Sequence, residues 1–167
     1  MIYYISGGER SGKSSYAERL AESLSSAPIY LATSRIWDAN FKKRVQRHID
    51  DRGEQWSTVE EEKKLSTVIA AGQTVVIDCV TLWLTNYFTD TESDVQKSLQ
   101  LAKEEFGKLQ QIDGNIIIIS NEIGMGLHAT SSIGRKFVEL QGWMNQYIAQ
   151  RADKATFMVS GLPLHLK

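Results

Sequence analysis

The 167-residue chain is poor in the residues that build special frameworks, with one cysteine, Cys79, and two prolines, Pro28 and Pro163. A lone cysteine inside an apolar run excludes a disulfide framework and a thiolate zinc cluster, and it leaves Cys79 as a small buried hydrophobe. An excess of either charge is missing too. With 19 Lys and Arg against 20 Asp and Glu the formal net charge is −1, so no global field recruits nucleic acid or an anionic membrane. Long hydrophobic runs are lacking: no apolar stretch approaches the roughly 18 residues of a membrane span. No signal peptide precedes the motif that starts at residue 7, so the expected location is the cytoplasm. There are no internal repeats and no low-complexity linker. A chain of this length suits one domain with a full core and is too short for two of ordinary size, so a single domain over 1–167 is expected.

What is present begins at once. Gly7-Gly8-Glu9-Arg10-Ser11-Gly12-Lys13-Ser14 is a complete G-x-x-x-x-G-K-S loop, directly after the apolar run Ile2-Tyr3-Tyr4-Ile5. In such a loop the glycines let backbone N–H groups turn toward a polyphosphate. Lys13 neutralises β- and γ-oxygens, and the Ser14 hydroxyl is placed to ligate Mg²⁺. Tyr16, Leu20 and Leu24 follow four apart, the face with which a helix is expected to pack on a sheet.

Short β-rich apolar runs alternate with helical patterns along the rest of the chain. Strands are predicted at Ile2–Ile5, Ile29–Ala32, Val75–Ile77, Ile116–Ile119 and Phe157–Val159, and helices at about 11–24, 38–51, 60–71, 94–112 and 132–152. Continuous apolar runs are typical of strands buried on both faces of a parallel sheet. The order predicts an α/β fold, a phosphate-loop NTPase-like, mostly parallel sheet flanked by helices. Gly161-Leu162-Pro163-Leu164 suggests a tight turn and a short antiparallel edge strand. Ligands of such sheets bind beyond the strand C-termini, which directs attention to residues at strand ends.

Asp78 ends the run Thr74-Val75-Val76-Ile77, where phosphate-loop proteins place a carboxylate for Mg²⁺; it also suits capping of the segment that follows. Asn121-Glu122 closes the next strand, with a substrate or ribose contact and helix capping both open. If 38–51 is helical, Arg44, His48 and Arg52 form one stripe, with Asp51 beside His48. Two flanking guanidiniums would keep the imidazole neutral and nucleophilic. A solvated amphipathic helix with a surface histidine fits the same spacing. Trp37, Phe41, Trp83, Tyr87 and Phe88 are candidates for an association patch or for core.

Beyond the loop, the distinctive segments are Tyr30-Leu31-Ala32-Thr33-Ser34, Arg44-Val45-Gln46-Arg47-His48, Trp56-Ser57-Thr58-Val59-Glu60 and Asp78-Cys79-Val80-Thr81-Leu82-Trp83-Leu84-Thr85-Asn86. They continue with Ser120-Asn121-Glu122-Ile123-Gly124-Met125-Gly126 and Ser160-Gly161-Leu162-Pro163-Leu164. In their order and spacing they resemble the bifunctional adenosylcobinamide kinase/adenosylcobinamide-phosphate guanylyltransferase family of cobalamin biosynthesis, almost end to end. The resemblance implies catalytic roles for His48, the histidine that would be guanylylated, and for Lys13. It implies nucleotide contacts from Gly7, Gly8, Glu9, Arg10, Ser11, Gly12, Lys13 and Ser14, from Thr33, Ser34 and Arg35, from Ile49, Asp50, Asp51 and Arg52, and from Glu60 and Asp78. Mg²⁺ would be held at Ser14 and Asp78. The implied substrates are GTP and ATP with adenosylcobinamide and its phosphate, and the implied assembly is a homotrimer; the near-zero net charge leaves no nucleic-acid partner expected.

The chain departs from the family pattern in three places. Asp38-Ala39-Asn40-Phe41 stands where Asp-x-Glu-Met is expected, Leu127-His128-Ala129-Thr130 where a Pro-Glu is expected, and Arg52-Gly53 where Arg-Pro is expected. A kinase for another alcohol would share the loop and Asp78 without needing His48. A non-catalytic GTP-binding regulatory module would leave the histidine segment unexplained.

Overall fold

The computed structural model describes residues 1–35 and 53–167 of the chain. Strands β1 (Ile2–Gly7), β2 (Ile29–Ala32), β3 (Ser57–Glu60), β4 (Gln73–Asp78), β5 (Gly114–Asn121), β6 (Lys154–Val159) and β7 (Leu162–His165) form one sheet. Helices α1 (Lys13–Leu24), α2 (Val80–Asp90), α3 (Val95–Leu109) and α4 (Ser132–Arg151) connect them, with a 3₁₀ turn at Leu65–Val68. The strand order is β3-β2-β4-β5-β1-β6-β7, and every neighbouring pair is parallel except β6 with β7. This is the expected mostly parallel sheet, flanked by helices, with its antiparallel edge.

Register aligns the functional ends. Gly7 pairs with Asn121, Ala32 with both Asp78 and Glu60, and Asp78 with Ile119. The C-terminal residues of β1 to β5 therefore lie along one edge.

Because strand side chains alternate between faces, each apolar run feeds two cores. Ile2, Tyr4, Leu31, Val75, Ile77, Ile116 and Ile118 meet α2, α3 and α4 through Trp83, Leu84, Phe106, Leu140, Met144 and Ile148. On the other face Ile5, Tyr30, Val76, Ile117 and Ile119 pack with Ala17 and Ala21 of α1. The ends of the longer helices are set by side chains accepting backbone N–H groups: Asp94 from Lys97 at 3.0 Å for α3, and Ser131 from Gly134 at 3.0 Å for α4.

Four expectations are corrected. The buried stripe of α1 is Ala17 and Ala21, with Tyr16 and Leu20 at its margin and Leu24 exposed. Small residues let the helix sit close to the sheet beneath the loop. The segment 60–71 is not a helix, because Glu60 ends β3 and the Glu61 carboxylate accepts the N–H groups of Lys63 and Lys64, both at 2.9 Å. Such local side-chain bonding competes with a helix. The stretch after Cys79, assigned no element from sequence, is α2, whose Val80, Trp83, Leu84, Tyr87 and Phe88 are all buried. Those spacings follow one helical face, so Trp83, Tyr87 and Phe88 are core. The strand Ser57–Glu60 was also not anticipated. The helix expected over 38–51 lies outside the described residues, with Trp37, Phe41 and His48.

Candidate nucleotide site

The loop joining β1 to α1 is built by close approach and one left-handed turn. A Cβ on Gly7 would stand 2.6 Å from the Met158 carbonyl oxygen and 2.6 Å from the Ser11 hydroxyl, so only glycine lets β1 enter the loop beside β6. Gly12, with φ of 90°, ends the loop as the residue preceding α1, a conformation that disfavours any side chain. The first-turn N–H groups of α1 have no partners within the helix and suit an anion. The turn after β6 buttresses the loop, since the Gly161 N–H donates to the Ser11 carbonyl at 3.0 Å.

Lys13, the first residue of α1, is only 7% exposed, and its ammonium donates to the Gly8 carbonyl at 2.6 Å and the Ser11 hydroxyl at 3.4 Å. Burial lowers its pKa, while the charges of Glu9 and Asp78 act in the opposite direction. Glu9 and Arg10 form a solvent-exposed ion pair at 3.7 Å, which contributes little.

Asp78 reaches this loop from the end of β4. Its Oδ2 accepts from the Tyr30 hydroxyl at 2.8 Å and from the Ser14 hydroxyl at 3.4 Å. It does not cap α2, whose preceding residue Cys79 makes no side-chain cap. A serine hydroxyl beside a carboxylate is a hard-oxygen pair of the kind Mg²⁺ uses when nucleotide phosphates and water complete its shell. Among the described residues no group of three His, Cys, Asp or Glu side chains is arranged to hold a metal by itself. Cys79 is buried as expected, and its thiol is pushed up to about 12 by burial and by Asp78, so it remains neutral.

The nucleotide contacts implied for Thr33, Ser34 and Arg35 divide into different environments. Thr33 is fully buried; its hydroxyl donates to the Cys79 carbonyl at 2.8 Å and accepts from the Cys79 N–H at 3.0 Å. That hydroxyl fastens β2 to β4 beneath the site. Ser34 and Arg35 line a cavity of about 480 Å³ with Glu60, Glu61, Glu62 and Lys63. Arg35 is held there by Asp90 through two bonds of 3.0 and 3.1 Å and by Glu62 at 2.7 Å, and Lys63 reaches Asp90 at 2.6 Å. Hydrogen bonds from Arg35 and then Lys63 hold the Asp90 carboxyl well below the usual carboxylate range, and the same contacts raise Arg35.

At the end of β5, Asn121 donates to the Thr81 hydroxyl at 3.0 Å, and Glu122 accepts from the Gly124 N–H at 2.8 Å. Neither caps a helix, since Ser131 caps α4. The structure thus brings Lys13, Ser14 and Asp78 together and sets Ser34, Arg35 and Glu60 around a neighbouring cavity. His48, Ile49, Asp50, Asp51 and Arg52 lie outside the described residues. Two contributors carry no site role in the sequence alone: Tyr30, a strand residue of the Tyr30–Ser34 segment, and Gly161, a turn former of the Ser160–Leu164 segment.

A parallel sheet with a G-x-x-x-x-G-K-S loop between β1 and α1, and a carboxylate brought to the loop serine from β4, defines a phosphate-loop nucleotide-binding protein. The family model described as cobinamide kinase / cobinamide phosphate guanyltransferase matches residues 3–166, and the chain belongs to that family of cobalamin-biosynthesis enzymes. The bifunctional adenosylcobalamin biosynthesis protein CobP of Pseudomonas aeruginosa is 38% identical over 168 residues, covering 98% of this chain and 95% of that one. The corresponding CobU proteins of Escherichia coli and Salmonella typhimurium are 34% identical over 182 residues and 31% over 184, in each case across 100% of both chains. Among solved structures, an ATPase domain gives a TM-score of 0.40 at 13% identity, covering 93% of this chain and 68% of that one, a likeness too remote to bear on function. No helix among the described residues is long and apolar enough to cross a membrane.

Proposed function

We propose that this enzyme phosphorylates adenosylcobinamide with a nucleoside triphosphate and then transfers GMP from GTP to the resulting phosphate, giving adenosylcobinamide-GDP. The observation that carries this reading is the meeting of Lys13, Ser14 and Asp78 at the mouth of the loop, in a chain of the cobinamide kinase and guanyltransferase family. In the first reaction the substrate hydroxyl oxygen bonds to the γ-phosphorus, the β–γ P–O bond breaks toward the nucleoside diphosphate, and the hydroxyl proton leaves to solvent. Lys13 and the loop amides stabilise charge on the transferring group. Mg²⁺, held by Ser14 and through Asp78, would supply further charge neutralisation at the β- and γ-oxygens.

In the second reaction an imidazole nitrogen of His48 bonds to the α-phosphorus of GTP, and the α–β P–O bond breaks to release pyrophosphate. The ring N–H proton is then shed to solvent. The phosphate of the corrinoid next attacks the same phosphorus and breaks the P–N bond, and the ring regains its proton. Dividing the transfer in this way gives a weakly nucleophilic phosphate an activated partner. The role of His48 is supported by its place in the Arg44-Val45-Gln46-Arg47-His48 segment, and those of Glu60, Ser34 and Arg35 as nucleotide contacts by their shared cavity. A cytoplasmic homotrimer completes the proposal, carried by kinship alone and testable by light scattering.

The test is to incubate the protein with adenosylcobinamide, GTP, ATP and Mg²⁺ and to follow the corrinoid by chromatography and mass spectrometry. One phosphate and then one GMP should be gained. Lys13→Ala should slow both steps by about 10²–10³-fold. A folded protein that leaves the corrinoid unchanged, or a Lys13→Ala variant with normal kinase turnover, would refute the reading.

A further inference from the structure

Between Asn121 and Ser132 the chain leaves the sheet edge, and with the first two turns of α4 it encloses a cavity of about 500 Å³. Its wall includes Leu127, His128, Arg135, Lys136, Val138 and Glu139. Three large apolar side chains project from the same stretch, Met125 at 76%, Leu127 at 99% and Ile133 at 58% exposure. Such crowding of exposed apolar groups marks a contact surface. The wall is held in shape, because Arg135 donates to the Ala129 and Thr130 carbonyls at 3.1 and 2.9 Å and ties the loop to the helix.

The cavity is coupled to the phosphate loop through one peptide. Asn121 pairs with Gly7 across the β5–β1 ladder, and the Glu122 N–H donates to the Gly7 carbonyl at 2.9 Å. It lies beside β5, next to the loop strand, whereas the cavity of Ser34, Arg35 and Glu60 lies beyond β4 at β2 and β3. In the order of the sheet the cavity beside β5 is therefore the nearer of the two to the loop strand β1, and the two differ in chemistry. One is lined by charged groups. The other joins apolar side chains to two cations, Arg135 and Lys136, against the single carboxylate of Glu139.

We propose that this second cavity is the acceptor site, taking a corrinoid and, after the first reaction, its phosphomonoester. The inference rests on the function proposed above and names residues for its substrate. A macrocycle with methyl-bearing faces exceeds a cavity of this size, so it rests on the rim of Met125, Leu127 and Ile133. Its aminopropanol arm enters toward the phosphate loop, and Lys136 and Arg135 meet the phosphate it acquires.

Equilibrium dialysis of cobinamide and of cobinamide phosphate, quantified by their visible absorption, tests this with Leu127→Ser and Lys136→Glu. Leu127 makes no internal packing, so its replacement leaves the fold intact. Leu127→Ser should weaken both corrinoids by roughly tenfold, the effect of losing one apolar side-chain contact. Lys136→Glu should weaken the phosphate ester at least several-fold more than cobinamide. Affinity for GTP should be unchanged in both. Corrinoid affinities equal to wild type in both variants would overturn the inference, as would loss of oligomeric state in Leu127→Ser with corrinoid binding intact, which would make the patch an interface between copies. If wild type turns over the corrinoid while the variants match it, the acceptor site alone is refuted; if wild type neither binds nor modifies a corrinoid, the proposed function falls with it.

Discussion

Gly7 and Gly8 both belong to the phosphate-binding motif, yet their surroundings assign them opposite tolerances for a methyl group. On Gly7 a Cβ meets the Met158 carbonyl oxygen and the Ser11 hydroxyl, each at 2.6 Å, while on Gly8 it meets nothing within 4 Å. Carbon–oxygen contacts ordinarily run about 3.3–3.6 Å. Ser11 can rotate away, but the Met158 carbonyl is backbone and pairs with β1 through the Gly7–Met158 register. Gly7→Ala must therefore push β1 and β6 apart at their C-terminal ends. Overpacking of this kind costs about 1–3 kcal/mol, and a rigid backbone contact belongs at the upper end. At about 3 kcal/mol the melting temperature should fall by about 6–12 °C for a chain of this size. Gly8→Ala should melt within about 2 °C of wild type. Thermal denaturation followed by circular dichroism, with GTP titration at a temperature where both variants are folded, gives the comparison. Equal melting temperatures for the two variants, or a larger loss in Gly8→Ala, would refute the packing argument.

Glu105 is 3% exposed and accepts the Ser66 N–H at 2.8 Å, the Ser66 hydroxyl at 2.6 Å and the Lys108 ammonium at 3.0 Å. Glu105→Ala strands the Ser66 donors and should cost about 2–4 kcal/mol in denaturant unfolding, with Glu105→Gln, which keeps an acceptor oxygen, recovering much of the loss; equal losses in the two variants would show that the acceptor bonds from Ser66 are not what matters. Asp90 should make stability depend on acid, because Arg35 and Lys63 depress its folded pKa below the unfolded value of about 3.9. Its contribution is complete above the unfolded pKa and is lost as pH falls through the folded one. At a partly exposed site it should amount to at most about 1 kcal/mol. Asp90→Asn should therefore be less stable than wild type at pH 6, with the gap narrowing toward pH 3; a gap that does not change with pH would contradict this.

How much of this was legible in the sequence depended on whether local pattern and tertiary demand agreed. They agreed at Ile116–Ile119 and at Gly7–Ser14, where a continuous apolar run and a glycine-bearing motif each have one good physical solution. They disagreed at Glu60–Lys64, whose charge run favours a helix in isolation, yet Glu60 pairs with Ala32 across a strand ladder and Glu61 caps the turn after it. At Val80–Phe88 the branched and aromatic residues hid a 3.6-residue period that Val80, Trp83, Leu84, Tyr87 and Phe88 carry plainly.

The candidate site shows the same division. Lys13, Ser14 and Asp78 could be named from motif and strand ends, because their chemistry is encoded in adjacent residues. The Tyr30 hydroxyl on Asp78 and the Gly161 amide on Ser11 join residues far apart in the chain, and no local pattern announces such contacts. Thr33 illustrates a third case, in which a residue that resemblance marks for nucleotide is occupied in tying β2 to β4.

The proposed covalent step is what would set this enzyme apart from a phosphate-loop kinase that lacks it, and mass spectrometry of the protein after incubation with GTP and Mg²⁺ examines it without any corrinoid. A mass gain of one GMP, acid-labile and base-stable, localised to His48 and absent from His48→Ala, is the expected result. A protein that binds GTP but gains no mass, or carries the modification elsewhere or equally in His48→Ala, would contradict a guanylylated histidine as the intermediate.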